Sequence, residues 1–231
     1  MTEIVPAIMP KSFNDLSAKM RQVKSIVSCV QIDVMDGIYV SPRTWPYGKD
    51  QGEEFESIVS GSEDMPFINE LEFEVDLMVT GQEEEAERWV RAGAGRVIGH
   101  IEAADSVESF IKVVRDASVP ADSPMSVELG LALEIETPLS VLEPLVFDID
   151  FVQIMGIANV GYQGEEFDER AIERVSALRG MYPNLVITVD GGVDEDSALL
   201  LRRAGANRLV SGSAIFGADD KDDAVKRLSA S

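Results

Sequence analysis

The chain has 231 residues, 45% of them hydrophobic, and a formal charge of -22 from 42 acidic and 20 basic residues. That balance, with no cluster of Lys and Arg, argues against nucleic acid and anionic membrane as partners. The longest apolar runs are strand-length, far short of the roughly 20 residues that a membrane-spanning helix needs.

No basic segment followed by an apolar one opens the sequence, so a secretory signal is not expected and a cytoplasmic protein is. The single cysteine, Cys29, has no internal disulfide partner, which agrees with a reducing compartment, and its place beside an apolar run suggests a buried, inert thiol. The acidity reads as a solvated surface or as adaptation to high salt, since only seven of the twenty cations are lysine.

Hydrophobic period and turn punctuation alternate strand and helix along the whole chain. In order, the expected elements are strand 4–8, helix 13–26, strand 29–34, helix 53–60, strand 71–78, helix 82–92, strand 96–101 and helix 106–117. They continue with strand 125–131, helix 138–146, strand 151–155, helix 168–182, strand 185–189, helix 195–204, strand 208–210 and helix 219–229. Between 40 and 52 lies an irregular loop with Pro42, Pro46, Gly48 and Gly52. Ala92-Gly93-Ala94 and Ala204-Gly205-Ala206 each place Gly where a helix should stop and the next strand begin. Short apolar strands buried on both faces suit a parallel sheet. Eight βα units in this length favour one (β/α)8 (TIM) barrel domain over 1–231, although an open doubly wound sheet shows the same alternation.

In a barrel the reactive groups gather at the carboxyl ends of the strands. The polar residues that close the apolar runs here are mostly acids: Asp33 and Asp36, Asp76, His100 with Glu102, Glu134, and Asp190. Carboxylates in apolar surroundings need a cation, a shared proton or water. Asp36-Gly37 reads as a turn, whereas Asp33 and Asp190 lie in otherwise apolar strands where a cap does not explain them. Three glycine-rich segments follow strands six, seven and eight: Gly161-Tyr162-Gln163-Gly164, Gly191-Gly192 and Ser211-Gly212-Ser213. Backbone N–H groups of such loops hold phosphate in these barrels, so Gly161, Gly164, Gly191, Gly192, Gly212 and Ser213 are candidate phosphate-binding residues.

Several longer motifs are ordered as in a known family. They include Ile4-Val5-Pro6-Ala7-Ile8, Asp33-Val34-Met35-Asp36-Gly37, Asp76-Leu77-Met78-Val79, His100-Ile101-Glu102-Ala103, Val189-Asp190-Gly191-Gly192 and Gly212-Ser213-Ala214-Ile215-Phe216-Gly217. Across nearly its whole length the chain resembles the ribulose-phosphate 3-epimerases. The resemblance implies an isomerase acting on a small phosphorylated sugar of the ribulose 5-phosphate/xylulose 5-phosphate type, and a homo-oligomer. It implies that Asp33 and Asp190 move the substrate proton through an enediolate, and that Met35, Met78 and Met155 line the pocket with Ala7 and His100.

Where the family places two metal-binding histidines, this chain has Gln31 and Asp76, and Ala7 stands where the family has a serine. Gln31, Asp33, Asp76 and Asp190 would then form an all-oxygen metal set, favouring Mg2+ or Mn2+ over Zn2+. The alternative is that no metal is bound and the chain is a non-catalytic or altered sugar-phosphate binder. His100 reads as a hydrogen-bonded core or pocket residue. No lysine lies on a predicted strand, which argues against a Schiff-base aldolase. Asp33-Val34-Met35-Asp36 lacks the lysine of the Asp-x-Lys-x-x-Asp segment of the related decarboxylases.

Overall fold

The computed structural model describes residues 2–117 and 127–230. Eight parallel strands close into a barrel in sequence order, with the eighth pairing back onto the first. They are β1 (Glu3–Ile8), β2 (Cys29–Met35), β3 (Glu72–Met78), β4 (Arg96–His100), β5 (Glu128–Leu133), β6 (Phe151–Met155), β7 (Val186–Asp190) and β8 (Arg208–Ser211). Around them lie α1 (Phe13–Val23), α2 (Gly52–Val59), α3 (Gln82–Arg91), α4 (Val107–Ala117), α5 (Arg170–Met181), α6 (Glu195–Ala204), α7 (Ser213–Phe216) and α8 (Lys221–Ser229). None of the described helices is long and apolar enough to cross a membrane.

The expected helix over 138–146 is a correction: the segment forms only a 3-10 turn at Leu139–Leu142. Pro144 has no N–H to give to the carbonyl four residues back, so an α-helix cannot propagate through it. The fifth strand runs to Leu133 rather than stopping at 131, paired on both sides. The start expected for it, at Met125 and Ser126, lies outside the described residues. The seventh strand is shifted to end on Asp190. Helix α5 begins two residues after Asp168, whose carboxylate accepts from the Arg170 backbone N–H at 3.0 Å. The single turn α7 is too short to show a period.

The two faces of each strand carry different chemistry because side chains alternate with period two. Outward residues such as Val30, Ile32, Val34, Val75, Leu77, Val152 and Ile154 pack with the helices into the main apolar core. Trp45, Phe55, Phe73 and Trp89 stack in that layer, with ring centroids of Phe55 and Trp89 4.5 Å apart. The inward set is mixed. At the amino end of the barrel Arg96 pairs with Glu74 (2.7 Å) and Glu3 (2.9 Å), and Arg208 with Glu128 (2.7 Å). Cys29 is buried at this end, its thiol pushed up by burial and by Glu74. Gly93 (φ +99°) and Gly205 (φ +111°) adopt the left-handed conformation that closes α3 and α6, as the Ala-Gly-Ala turns require.

The loop over 40–52 is pinned to the strand it follows. Thr44 Oγ1 donates to the Asp33 carbonyl (2.9 Å) and accepts from the Met35 N–H (2.9 Å), and Trp45 N–H donates to Pro10 O (2.8 Å). These bonds fix the end of β2, where the acids begin.

Candidate active site

Strand period and register converge three carboxylates. Asp33 lies two residues after Gln31 on the same face of β2, and its Cα partner across the sheet is Asp76 on β3. Asp190, the last residue of β7, is paired with Met155 of β6. One oxygen from each aspartate lies within 4.8 Å of the others, so the three form a cluster that could hold a metal ion. All three are buried: Asp33 is 6% exposed, Asp76 0% and Asp190 8%.

Two glutamine amides join them. Gln31 Nε2 donates to Asp33 Oδ1 (2.8 Å) and to Asp190 Oδ2 (2.6 Å). Gln153 Nε2, from β6, donates to Asp76 Oδ2 (3.2 Å) and reaches Asp190 Oδ2 (3.5 Å). The carbonyl oxygens of both amides are buried and have no partner. His100 Nε2 lies 3.1 Å from Asp76 Oδ1.

Burial raises the proton affinity of Asp33 well above the usual carboxylate range, and the charges of Asp190 and Asp76 raise it further. Asp190 is raised by burial and then by Asp76, while the bond from Gln31 pulls the other way. Burial disfavours the charged form of His100, but Asp76 outweighs it and the imidazole is raised. Like charges this close cannot all be ionised at neutral pH, so the cluster retains at least one proton.

Asp33 and Asp190 open onto a narrow pocket of about 50 Å³ at the carboxyl ends of the strands. Ala7, Met35, Met78 and Met155 form its apolar wall, and Gly161, Gly164, Gly191, Gly192, Gly212 and Ser213 all lie on its rim. The glycine-rich segments after β6, β7 and β8 therefore meet at one cavity. Gly192 shows why glycine is needed: at φ +66° an added Cβ would stand 2.6 Å from Phe167 Cα. Across the pocket Gln163 Nε2 donates to Ala7 O at 3.4 Å, tying the loop after β6 to β1.

Some expected residues sit elsewhere. His100 is fully buried beside Asp76 and does not line the pocket, which corrects the expectation that it does. Gln31 and Asp76 are also fully buried, within the barrel. Asp36 is a turn former, accepting from the Ile38 N–H (2.8 Å) and from the Thr80 N–H (2.9 Å) and hydroxyl (2.8 Å). Glu134 accepts from the Tyr39 hydroxyl (2.5 Å), and Glu102 accepts from the Glu134 N–H (2.9 Å). Gln153 is the site residue that the sequence reading missed. The signal was present: a lone polar residue in Phe151-Val152-Gln153-Ile154-Met155, in phase with Met155.

Known proteins point the same way. The sequence model of the ribulose-phosphate 3-epimerase family matches residues 3–216. A ribulose-phosphate 3-epimerase of Bacillus subtilis (strain 168) is 29% identical, covering 99% of this chain and 98% of its own length. The chloroplastic ribulose-5-phosphate-3-epimerase of Arabidopsis thaliana is 32% identical, over 99% of this chain and 76% of that protein. Among solved structures, a 3-hexulose-6-phosphate synthase superposes with TM-score 0.66 at 21% identity, covering 98% of both chains. KGPDC from Streptococcus mutans superposes with TM-score 0.69 at 16% identity, over 98% of this chain and 95% of that one. At those identities the two structures speak for the fold alone. The family model and the full-length relatives speak for more: the chain belongs to the ribulose-phosphate 3-epimerase family.

Proposed function

We propose that the chain is a sugar-phosphate 3-epimerase interconverting ketose phosphates of the ribulose 5-phosphate/xylulose 5-phosphate type, with Asp33 and Asp190 as its acid/base pair. The observation that carries this reading is that these two carboxylates, joined through one amide nitrogen, open together onto a pocket rimmed by three glycine-rich loops.

Inversion beside a carbonyl needs a base on one face of the carbon and an acid on the other. One aspartate, ionised, takes the C3 proton; the electron pair moves into the carbonyl and gives an enediolate. The other aspartate, protonated, returns a proton to the opposite face. The pair then ends with its charge and proton exchanged, ready for the reverse reaction. Raised proton affinities suit both roles, because a carboxylate that binds protons more tightly is a stronger base, and its partner stays protonated near neutral pH. Met35, Met78 and Met155 exclude water while adapting to the sugar's shape. Backbone groups at Gly191, Gly192, Gly212 and Ser213, with Gly161 and Gly164 opposite, would cradle the phosphate, whose position sets the distance to C3.

The donor set fits a hard divalent ion. Asp33, Asp76 and Asp190 offer carboxylate oxygens, and the unpartnered carbonyl oxygen of Gln31 adds a fourth. No sulfur or imidazole ligand belongs to it, so Mg2+ or Mn2+ suits it better than Zn2+. When bound, such an ion would supply positive charge beside the developing enediolate.

The test is to incubate ribulose 5-phosphate with the protein, in chelator and with Mg2+ or Mn2+ supplied, and follow xylulose 5-phosphate by NMR. Formation of the epimer is the expected result. Phosphate-ligand binding without turnover under every condition would refute catalysis and leave a binder.

A further inference from the structure

The two amides that bridge the carboxylates raise a question the proton transfer does not answer: what Gln153 is for. It is fully buried, comes from a strand that contributes no acid to the cluster, and directs its NH2 group at Asp76 and Asp190. Gln31 directs its NH2 group at Asp33 and Asp190. Between them they supply donors to all three carboxylates. An amide NH2 held between carboxylates does part of what a cation does, placing positive partial charge between groups that otherwise repel.

Each amide also has a second face. No protein group holds the carbonyl end of Gln31 or of Gln153, so only the bonds from their NH2 groups to the carboxylates keep the two side chains in their present orientation. Half a turn about the last side-chain bond exchanges nitrogen for oxygen at nearly the same point. After that turn the Gln31 oxygen would stand about where its nitrogen stands now, 2.6 Å and 2.8 Å from oxygens of Asp190 and Asp33. The Gln153 oxygen would lie similarly near Asp76, where its nitrogen is now 3.2 Å away. Two oxygens at such separations repel each other unless a proton or a cation lies between them, and one retained proton cannot serve all of these contacts. With a cation they are appropriate: adjacent ligands of an octahedral ion with metal–oxygen bonds of about 2.1 Å are about 3 Å apart.

We propose that Gln31 and Gln153 form a reversible two-amide clamp, with NH2 groups turned inward to hold Asp33, Asp76 and Asp190 together, and carbonyl oxygens turned inward as ligands when a hard divalent ion enters. This adds Gln153 to the ligand set. It also gives the site a state in which the carboxylates stay in place without the ion. The clamp lies in the same centre as the proposed acid/base pair, on which it rests for its relevance to catalysis. Its test uses no sugar, so the clamp can fail while the epimerase reading stands, and the reverse.

The side-chain NH2 signals of the two glutamines can be followed by 15N NMR in the full-length protein as Mg2+ is added. Gln31→Glu and Gln153→Glu are nearly isosteric and each deletes one signal pair, which assigns both. Without the ion, both pairs should resonate downfield, as donors to carboxylates do, and exchange slowly with water. Saturation with Mg2+ should move both upfield as the NH2 groups turn away. Calorimetry should show that Gln153→Glu tightens Mg2+ at least about tenfold by supplying a charged oxygen at the ligand position. The proposal is overturned if Mg2+ binds while both signal pairs stay in place. It is equally overturned if Gln153→Glu leaves the Mg2+ affinity unchanged, or if no Mg2+ binds at millimolar concentration.

Discussion

Replacing Asp190 by Asn should make the protein more stable while removing its proton transfer. Asn keeps the size of the side chain, and its Oδ1 can still accept from Gln31 and Gln153, but one charge leaves the cluster. Two unit charges at the 4.8 Å limit of the cluster repel by about 3 kcal/mol at an effective dielectric constant of 20. Proton uptake already relieves part of this in the native protein, so about 1 to 3 kcal/mol should be recovered, or roughly 3 to 10 °C in melting temperature for a chain of this size.

The pH dependence gives the sign. The proton affinity of Asp190 is raised on folding, so its contribution is fully favourable below the unfolded carboxylate pKa near ~4 and is lost as pH rises through the higher folded value. Native protein and Asp190→Asn should therefore melt alike at about pH 4 and diverge toward neutrality. Denaturant titrations across that range, with chelator present so that no ion neutralises the cluster, measure the difference directly. An Asp190→Asn protein that is less stable at neutral pH, or whose gain is largest in acid, would refute the electrostatic account.

Other outcomes follow from the same geometry. Gly192→Ala places a Cβ 2.6 Å from Phe167 Cα at φ +66°. It should cost about 1 to 3 kcal/mol in unfolding titrations and raise KM for the phosphorylated substrate more than it lowers kcat. Gln163→Ala removes the tie from the loop after β6 to Ala7 O, and should also raise KM, with little change in melting temperature. Asp36→Ala leaves the Ile38 and Thr80 donors without their acceptor, a loss of about 1 to 2 kcal/mol, and its proton-exchange rate should fall far less than that of Asp33→Asn.

Much of this site was legible in the sequence because strands announce themselves by period and barrels place their chemistry at strand ends. Asp33 and Asp190 stood out as acids inside apolar runs, and the glycines after β6, β7 and β8 stood out by position; all of them reach one pocket. Asp36 makes the bonds of a turn former, whereas Asp33 accepts from Gln31 inside the barrel and lines the pocket. Three things were less visible. Pro144 stops a segment whose apolar spacing alone reads as a helix. His100 read as a core or a pocket residue, because strand alternation cannot tell a side chain at the pocket wall from one enclosed within the barrel, where it lies beside Asp76. Gln153 carries no charge and matches no motif, so its role depends on barrel closure, which brings β6 within reach of acids on β3 and β7.

In the proposed reaction Asp33 and Asp190 work as a pair on opposite faces of one carbon. Its most direct test is deuterium incorporation at C3 of ribulose 5-phosphate in D2O, followed by proton NMR for the native protein, Asp33→Asn and Asp190→Asn. The native protein should exchange the C3 proton while forming the epimer, and each variant, still folded, should lose epimer formation by at least about a thousandfold. Epimer formation that survives in either variant at near-native rate would contradict this pairing.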